Sequence, residues 1–144
     1  MNLFTHLKFL ALIAMIFFSS CESATETQTD SPTPRAIAVV KIPSLTAKVA
    51  ETNEARCIMA TVILRVDTAL ESLYQDNSPL MKQSQDIIKK NLSEVVLTDL
   101  EVSGFHARLS RKILEDLNLL ILKLHPQIEG RIQDAYFYDF FLSH

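Results

Sequence analysis

The segment CIMATVILRVD, residues 57–67, decides the fold of this chain because its side chains alternate with a period of two. One set of alternate positions is entirely apolar: Ile58, Ala60, Val62, Leu64 and Val66. The other set turns polar at Arg65 and Asp67. Such alternation predicts a β-strand with one face covered by other elements and the second face meeting water toward its end. The sequence therefore predicts a sheet that helices cover on one side.

Two helices are predicted after this strand. Ser78-Pro79 has the form of an N-cap followed by proline at the first helical position, and apolar residues then recur at helical spacing. The second helix is predicted to begin after Ser103-Gly104 and to end before Pro126. Leucine and isoleucine become denser near its end, which predicts burial there on more than one side.

Extended segments flank these helices and the first strand. Residues 36–50 begin with β-branched residues, but Pro43 restricts them to an edge strand or an irregular extended segment. The closing stretch RIQDAYFYDFFLSH, residues 131–144, is predicted to be a strand. The expected fold class is α+β, with a small antiparallel-type sheet packed against two main helices.

The closing strand is rich in aromatic side chains, and two interpretations of it are open. Alternation places Tyr136, Tyr138, Phe140 and Leu142 on one face and Ala135, Phe137 and Phe141 on the other. Because both faces are largely apolar, the favoured interpretation is a central strand packed on both sides. The alternative is that Tyr136, Tyr138 and Phe140 form an exposed docking patch for a partner.

The N-terminal segment has the features of an export signal. The unbroken apolar run Phe9–Phe18 is ten residues long and follows Lys8, whereas a membrane-spanning helix needs about 20 apolar residues. Ser19-Ser20-Cys21 then resembles the processing site of a bacterial lipoprotein, at which cleavage precedes a lipidated cysteine. We therefore predict a signal peptide at residues 1–20, a lipidated Cys21 with a flexible tether to residue 35, and a domain at residues 36–144. An uncleaved membrane anchor is the alternative.

The predicted anchor implies an extracytoplasmic location. Residues 22–35 are too polar to fold, so they are expected to act as an extended tether. Glu22 is not the Asp that is linked to retention at the inner membrane of lipoprotein-bearing bacteria. The expected location is therefore the periplasm, anchored to a membrane, with the outer membrane favoured over the inner.

Composition and motif content argue against several functional classes. Residues 1–20 carry one Lys and no acidic residue, so their removal changes the formal charge from −3 to −4, which does not suit a nucleic-acid partner. Two Gly in the whole chain argue against a phosphate-binding loop, and the separated histidines do not have metal-ligand spacing. Cys57 would be a lone, buried thiol. No catalytic residue, cofactor or metal is predicted.

Four segments in this order resemble the flagellar basal-body-associated FliL family, over roughly residues 42–142. They are KIPSLTAKV, ARCIMATVILRVD, LTDLEVSGFHARLSRKILEDLN and IQDAYFYDFFLS. In the third segment the family pattern falls on Leu100, Gly104, Leu109, Ile113, Leu114 and Asn118. In the last segment it falls on Ala135, Tyr136, Phe137 and Phe140.

This resemblance implies a non-enzymatic role and a stomatin-like periplasmic domain. Family members lie beside the flagellar motor, associate with stator units and support motility, and their domains resemble modules that assemble into rings. The expected partners are therefore flagellar motor or basal-body proteins, the membrane through the lipid anchor, and possible further copies of the chain. The family usually has an inner-membrane span, whereas this chain has a predicted lipid anchor.

Two other functional hypotheses are kept. The chain could be a periplasmic scaffold or small-ligand-binding lipoprotein without a role in motility, for which a pocket lined by Tyr136, Tyr138 and Phe105 is the candidate site. An unrecognised hydrolase would rest only on scattered carboxylates such as Glu115-Asp116 and Asp99 with Glu101. Neighbouring residues on a helix point about 100° apart, so solvated charge is the commoner explanation of such pairs.

Overall fold

A computed structural model describes residues 35–49 and 56–143, and over these residues the fold is α+β. Three antiparallel strands form one sheet in the order β1-β2-β3. The strands are β1 (Ile37–Lys48), β2 (Cys57–Asp67) and β3 (Ile132–Leu142). The α-helices are α1 (Thr68–Glu71), α2 (Pro79–Ser93) and α3 (Phe105–Leu124), with short 3₁₀ helices at Ser72–Tyr74 and Leu97–Glu101.

The predicted starts of the two long helices are confirmed. The Ser78 hydroxyl accepts a hydrogen bond from the Met81 backbone N–H at 3.1 Å, and Pro79 occupies the first helical position, where its missing N–H costs nothing. Gly104 precedes α3 with φ of 77°, a left-handed conformation that glycine adopts without the penalty a side chain brings. Both helices therefore begin where local chemistry favours it.

One face of the sheet carries the core, and it is called the covered face here. Strand β2 contributes the five alternating residues predicted from sequence, all nearly inaccessible to solvent. Helix α2 packs over β1 and α3 packs over β3, while the two helices also contact each other. Their buried side chains include Leu80, Ile88, Leu92, Ile113 and Leu117. This two-layer arrangement leaves the opposite side of the sheet without a helix among the described residues.

Two sequence predictions about burial are wrong. Strand β3 is an edge strand, paired with β2 alone among the described strands, and not a central strand packed on both sides. The end of α3 is not buried on several sides either, since Leu119 and Leu122 are 64% and 65% exposed. The physical reason is that α3 rests on a single sheet face and has α2 on only one flank.

The predicted signal peptide, the lipidated Cys21 and the tether up to residue 34 lie outside the described residues. In the described part, the helices are too short or too polar to span a bilayer.

Candidate partner-binding face

The candidate site is the second side of the sheet, which we call the open face. Residues paired across antiparallel strands point to the same side, so the register defines its rows. Lys41, Ile63 and Tyr136 form one row, Thr61 and Asp139 a second, and Met59 and Phe141 a third. Further members are Ile37, Val39, Arg65, Asp134 and Tyr138. The alternation of residues 57–67 thus shapes both faces of the sheet.

Two irregularities in β3 decide which aromatic residues reach the open face. Tyr138 is an extra residue between the pairs Val62–Phe137 and Thr61–Asp139, and Gln133 is an extra residue nearer the strand start. Each β-bulge shifts the alternation by one position. As a result Phe141 joins Tyr136 and Tyr138 on the open face, contrary to the simple alternation.

Phe140 points to the other side of the sheet from Tyr136 and Tyr138. It pairs with Ala60 of the covered face, packs against the core, and its ring lies 4.7 Å from the His106 ring and 6.2 Å from Phe105. The prediction that these three residues share one face is therefore wrong for Phe140, because the bulge at Tyr138 reverses the alternation.

The predicted pocket of Tyr136, Tyr138 and Phe105 does not form. Phe105, the first residue of α3, is buried on the covered side, where its ring lies against the rings of Phe140 and His106. A groove of about 430 Å³ does run between α3 and the β3 edge, where His106, Arg111, Tyr136 and Phe137 contribute to its walls. Phe105 and Tyr138 are not part of its lining.

The open face is apolar and largely uncovered. Val39, Tyr138 and Phe141 are each more than three-fifths exposed, and Ile37, Met59 and Tyr136 are more than two-fifths exposed. The middle of the face, at Thr61 and Ile63, is buried because the edge strands flank it. Large apolar side chains gathered on one surface typically mark an interaction site.

Most charged residues of the open face lie on its two edges. Lys41 and Lys48 lie on β1, and Asp134 and Asp139 lie on β3. The Lys41 ammonium also lies 5.4 Å from the centre of the Tyr138 ring, within the range of a cation–π contact. One edge strand is thus basic and the other acidic, and between them β2 contributes apolar surface and the exposed Arg65, which pairs with Asp134 in the strand register.

A buried carboxylate closes the end of the face where the described chain begins. Asp67 is 3% exposed and accepts hydrogen bonds from the Gln133 side chain at 2.7 Å, the Arg131 backbone N–H at 3.0 Å and the Arg35 guanidinium at 3.4 Å. Burial alone would raise the pKa of Asp67, but these bonds and the Arg35 charge outweigh it and hold the pKa below its usual value. Asp67 therefore joins β2, the start of β3 and the segment before β1.

Other buried polar groups serve packing. Burial raises the pKa of Tyr74 to about 12 although its hydroxyl shares a 3.2 Å hydrogen bond with Ser84. Asp116 accepts a 2.9 Å hydrogen bond from the Asn91 amide, whereas Glu115 is exposed. The adjacent carboxylates Glu115 and Asp116 thus have separate surroundings, as their helical spacing predicts.

The potential metal ligands and the thiol of the described ranges lie on several different elements. No group of three His, Cys, Asp or Glu side chains there is arranged to hold a metal ion. Cys57 is a half-buried free thiol at the start of β2, where its backbone exchanges hydrogen bonds with Ser143. These hydrogen bonds hold the residue that follows β3 against the start of β2.

Several members of the open face were missed from sequence. Val39 and Met59 could have been assigned to this face, because the alternation of side chains along β1 and β2 places them there. Phe141 could not be assigned, because a bulge leaves no clear mark in a strand of consecutive aromatic residues. The sequence identified Asp67 only as a polar residue at the end of β2 and did not predict its burial.

The sequence matches no family model, and no curated protein matches it.

Proposed function

We propose that this chain is a non-enzymatic, membrane-anchored accessory protein of the bacterial flagellar base, which acts by binding proteins. The observation that carries the binding role is the open face, where the side chains of Tyr136, Tyr138 and Phe141 are exposed on a paired edge strand. Aromatic residues are enriched in protein interfaces because they combine a large apolar area with few rotatable bonds. The flagellar assignment is supported by the four-segment resemblance to the FliL family.

We further propose a stomatin-like fold for the domain and a lipid anchor at its N-terminal side. A small antiparallel sheet with two long helices on one side suits a stomatin-like periplasmic domain. Lipid on Cys21 would hold the domain at a membrane, with the outer membrane favoured. Fourteen tether residues reach at most about 45–50 Å when fully extended, which limits the partners to proteins near that membrane.

Motility of a strain that lacks the gene tests this function. We expect normal flagellar number with weakened swimming and swarming, restored by the wild-type gene but not by Cys21→Ala, which removes the proposed anchor. A Lys82→Ala variant, altered at an exposed position of α2 on the helix side of the domain, should restore motility and serves as the matched control.

Unchanged swimming and swarming in the deletion strain would contradict the flagellar role. The alternative function, a periplasmic scaffold or small-ligand-binding lipoprotein, would then take its place. The groove beside β3 would be the site to probe for ligands in that case.

A further inference from the structure

The open face has a charge pattern that complements itself. Its β1 edge carries Lys41 and Lys48 and its β3 edge carries Asp134 and Asp139, while β2 between them carries Met59, Thr61, Ile63 and the exposed Arg65, which is level with Asp134. A partner for this face therefore needs an acidic edge, a flat and mostly apolar centre, and a basic edge. A second copy of the chain presents these three features in the required order once it is rotated by 180°.

The face is large enough for a specific dimer. Three strands spaced about 4.8 Å apart, each about eleven residues long at about 3.3 Å per residue, cover roughly 500 Å² per copy. Two copies would therefore bury about 1,000 Å², near the lower limit for a specific protein interface. A smaller docked segment would leave exposed aromatic surface at one edge.

We infer that the open face binds a second copy of this chain, with the two sheets stacked face to face about a two-fold axis parallel to the strands. This rotation places β1 of one copy over β3 of the other, and β2 over β2. Aligned sheets pack about 10 Å apart with strands crossing at roughly 30°. The inference rests on the proposed function only in taking this face as a protein-binding surface.

The stacking brings opposite charges together twice. Lys41 lies level with Tyr136 through their common neighbour Ile63, and Asp139 is one same-side step further along β3, about 7 Å away. The Lys41 side chain is long enough to cover that distance in the facing copy. Because the axis is two-fold, each dimer contains two Lys41–Asp139 contacts between copies. At the level of Arg65 the two copies bring two arginines together, with Asp134 of both copies at the same level.

The charge pattern of the open face also argues against a lipid membrane as its binding partner. Anionic membranes attract surfaces with clustered basic residues, since each Lys or Arg near the surface contributes about 1 kcal/mol. Lys41, Lys48 and Arg65 would be attracted to such a membrane, but Asp134 and Asp139 along one edge of the open face would be repelled by it. A surface that carries both positive and negative charges fits a partner that also carries both.

The test uses full-length copies with two different C-terminal affinity tags, co-expressed and solubilised in mild detergent. Recovery of the second tag through the first measures the association of copies. Lys41→Glu alone and Asp139→Lys alone should each lower recovery about tenfold or more, because like charges placed opposite each other cost several kcal/mol in an interface. Lys82→Glu and Asp86→Lys make the same charge changes on α2 and should leave recovery unchanged.

Mixing the two variants separates contacts between copies from contacts within one copy. Lys41→Glu in one copy and Asp139→Lys in the other restore opposite charges at both contacts, so this mixture should recover to near the wild-type level. Loss of the Lys41–Tyr138 contact within a chain would instead persist in the mixture. Thermal melts of each variant within a few degrees of wild type exclude unfolding as the cause.

Three results would overturn the inference: no co-purification of wild-type copies, single variants that associate as well as wild type, or a mixture that stays dissociated. The motility assay keeps this failure distinct from failure of the proposed function. Weak swimming in the deletion strain without co-purification would refute the dimer and leave the flagellar role. Association of the copies together with unchanged motility of the deletion strain would support the dimer and refute the flagellar role.

Discussion

The two faces of the sheet use similar side chains and have opposite environments. In β2, Ile58 is fully buried and its neighbour Met59 is 43% exposed, although both are large and apolar. Helices α2 and α3 pack on the side of the sheet to which Ile58 points, and only the side chains of neighbouring strands flank Met59. Apolar composition alone therefore does not tell which face holds the domain together.

The difference separates stability from association. Burial of the covered face supplies most of the folding free energy, because the hydrophobic effect scales with the apolar area removed from water. The open face contributes less to folding, so its aromatic residues need another reason to be there. Binding of a protein provides that reason, and substitutions on each face should have distinct consequences.

The largest effect on folding is expected for Ile58→Ala on the covered face. Truncation of a fully buried isoleucine leaves a cavity and typically lowers the free energy of unfolding by about 2–5 kcal/mol. Met59→Ala, one residue along the same strand, is the matched control and should cost well under half as much. Denaturant unfolding of both variants measures the contrast, and equal losses would show that the faces are not distinct.

A smaller effect is expected for Asp67→Asn, at the buried carboxylate that closes one end of the open face. The amide cannot accept all the bonds that the carboxylate takes from Gln133, Arg131 and Arg35, so the loss should be about 1–3 kcal/mol at pH 7. Because the folded-state pKa of Asp67 is lowered, its contribution is present above the unfolded value near 3.8 and lost as the pH falls through the folded pKa.

Unfolding curves at pH 7, 5 and 3 check this linkage. Wild type should lose stability at the acid end while the Asp67→Asn variant changes less, so the two curves converge. Gln75→Ala, at an exposed position between α1 and α2, controls for the loss of a polar side chain. A constant difference across the three pH values would contradict the role assigned to the carboxylate.

The smallest effect on folding is expected for Tyr138→Ala. Its ring is 66% exposed and contacts the Lys41 ammonium, so the free energy of unfolding should change by about 0.5 kcal/mol or less. Association between tagged copies should nevertheless fall several-fold. Phe140→Ala, two residues away on the covered side, is expected to do the opposite: a marked loss of thermal stability with little direct effect on association.

Much of the fold follows from local patterns in the sequence. The limits of β2, the irregularity of β1 near Pro43 and the capped start of α2 were all predicted, because each depends on residues close together in the chain. The order of the strands depends on distant segments, so the edge position of β3 could not be read from its aromatic residues.

The sequence predicted part of the candidate site, and one irregularity of β3 explains most of the residues that were assigned to the wrong face. Tyr136 and Tyr138 were assigned to one face, and they share it. Phe140 and Phe141 were each assigned to the wrong side, since the bulge at Tyr138 displaces every later residue by one position. The buried state of Asp67 depends on Arg35, Arg131 and Gln133, which come from distant parts of the chain.

The position of Arg35 has a mechanical consequence. Any tension on the chain ahead of the domain enters at Arg35 and passes into β1 along the axis of the strand, while the bonds between β1 and β2 run across it. Such a pull acts as a shear, so all the paired residues from Ile37 to Lys48 resist it together and do not separate in sequence. A domain held by its sheet and pulled from this end would therefore carry load along its most extensively paired edge.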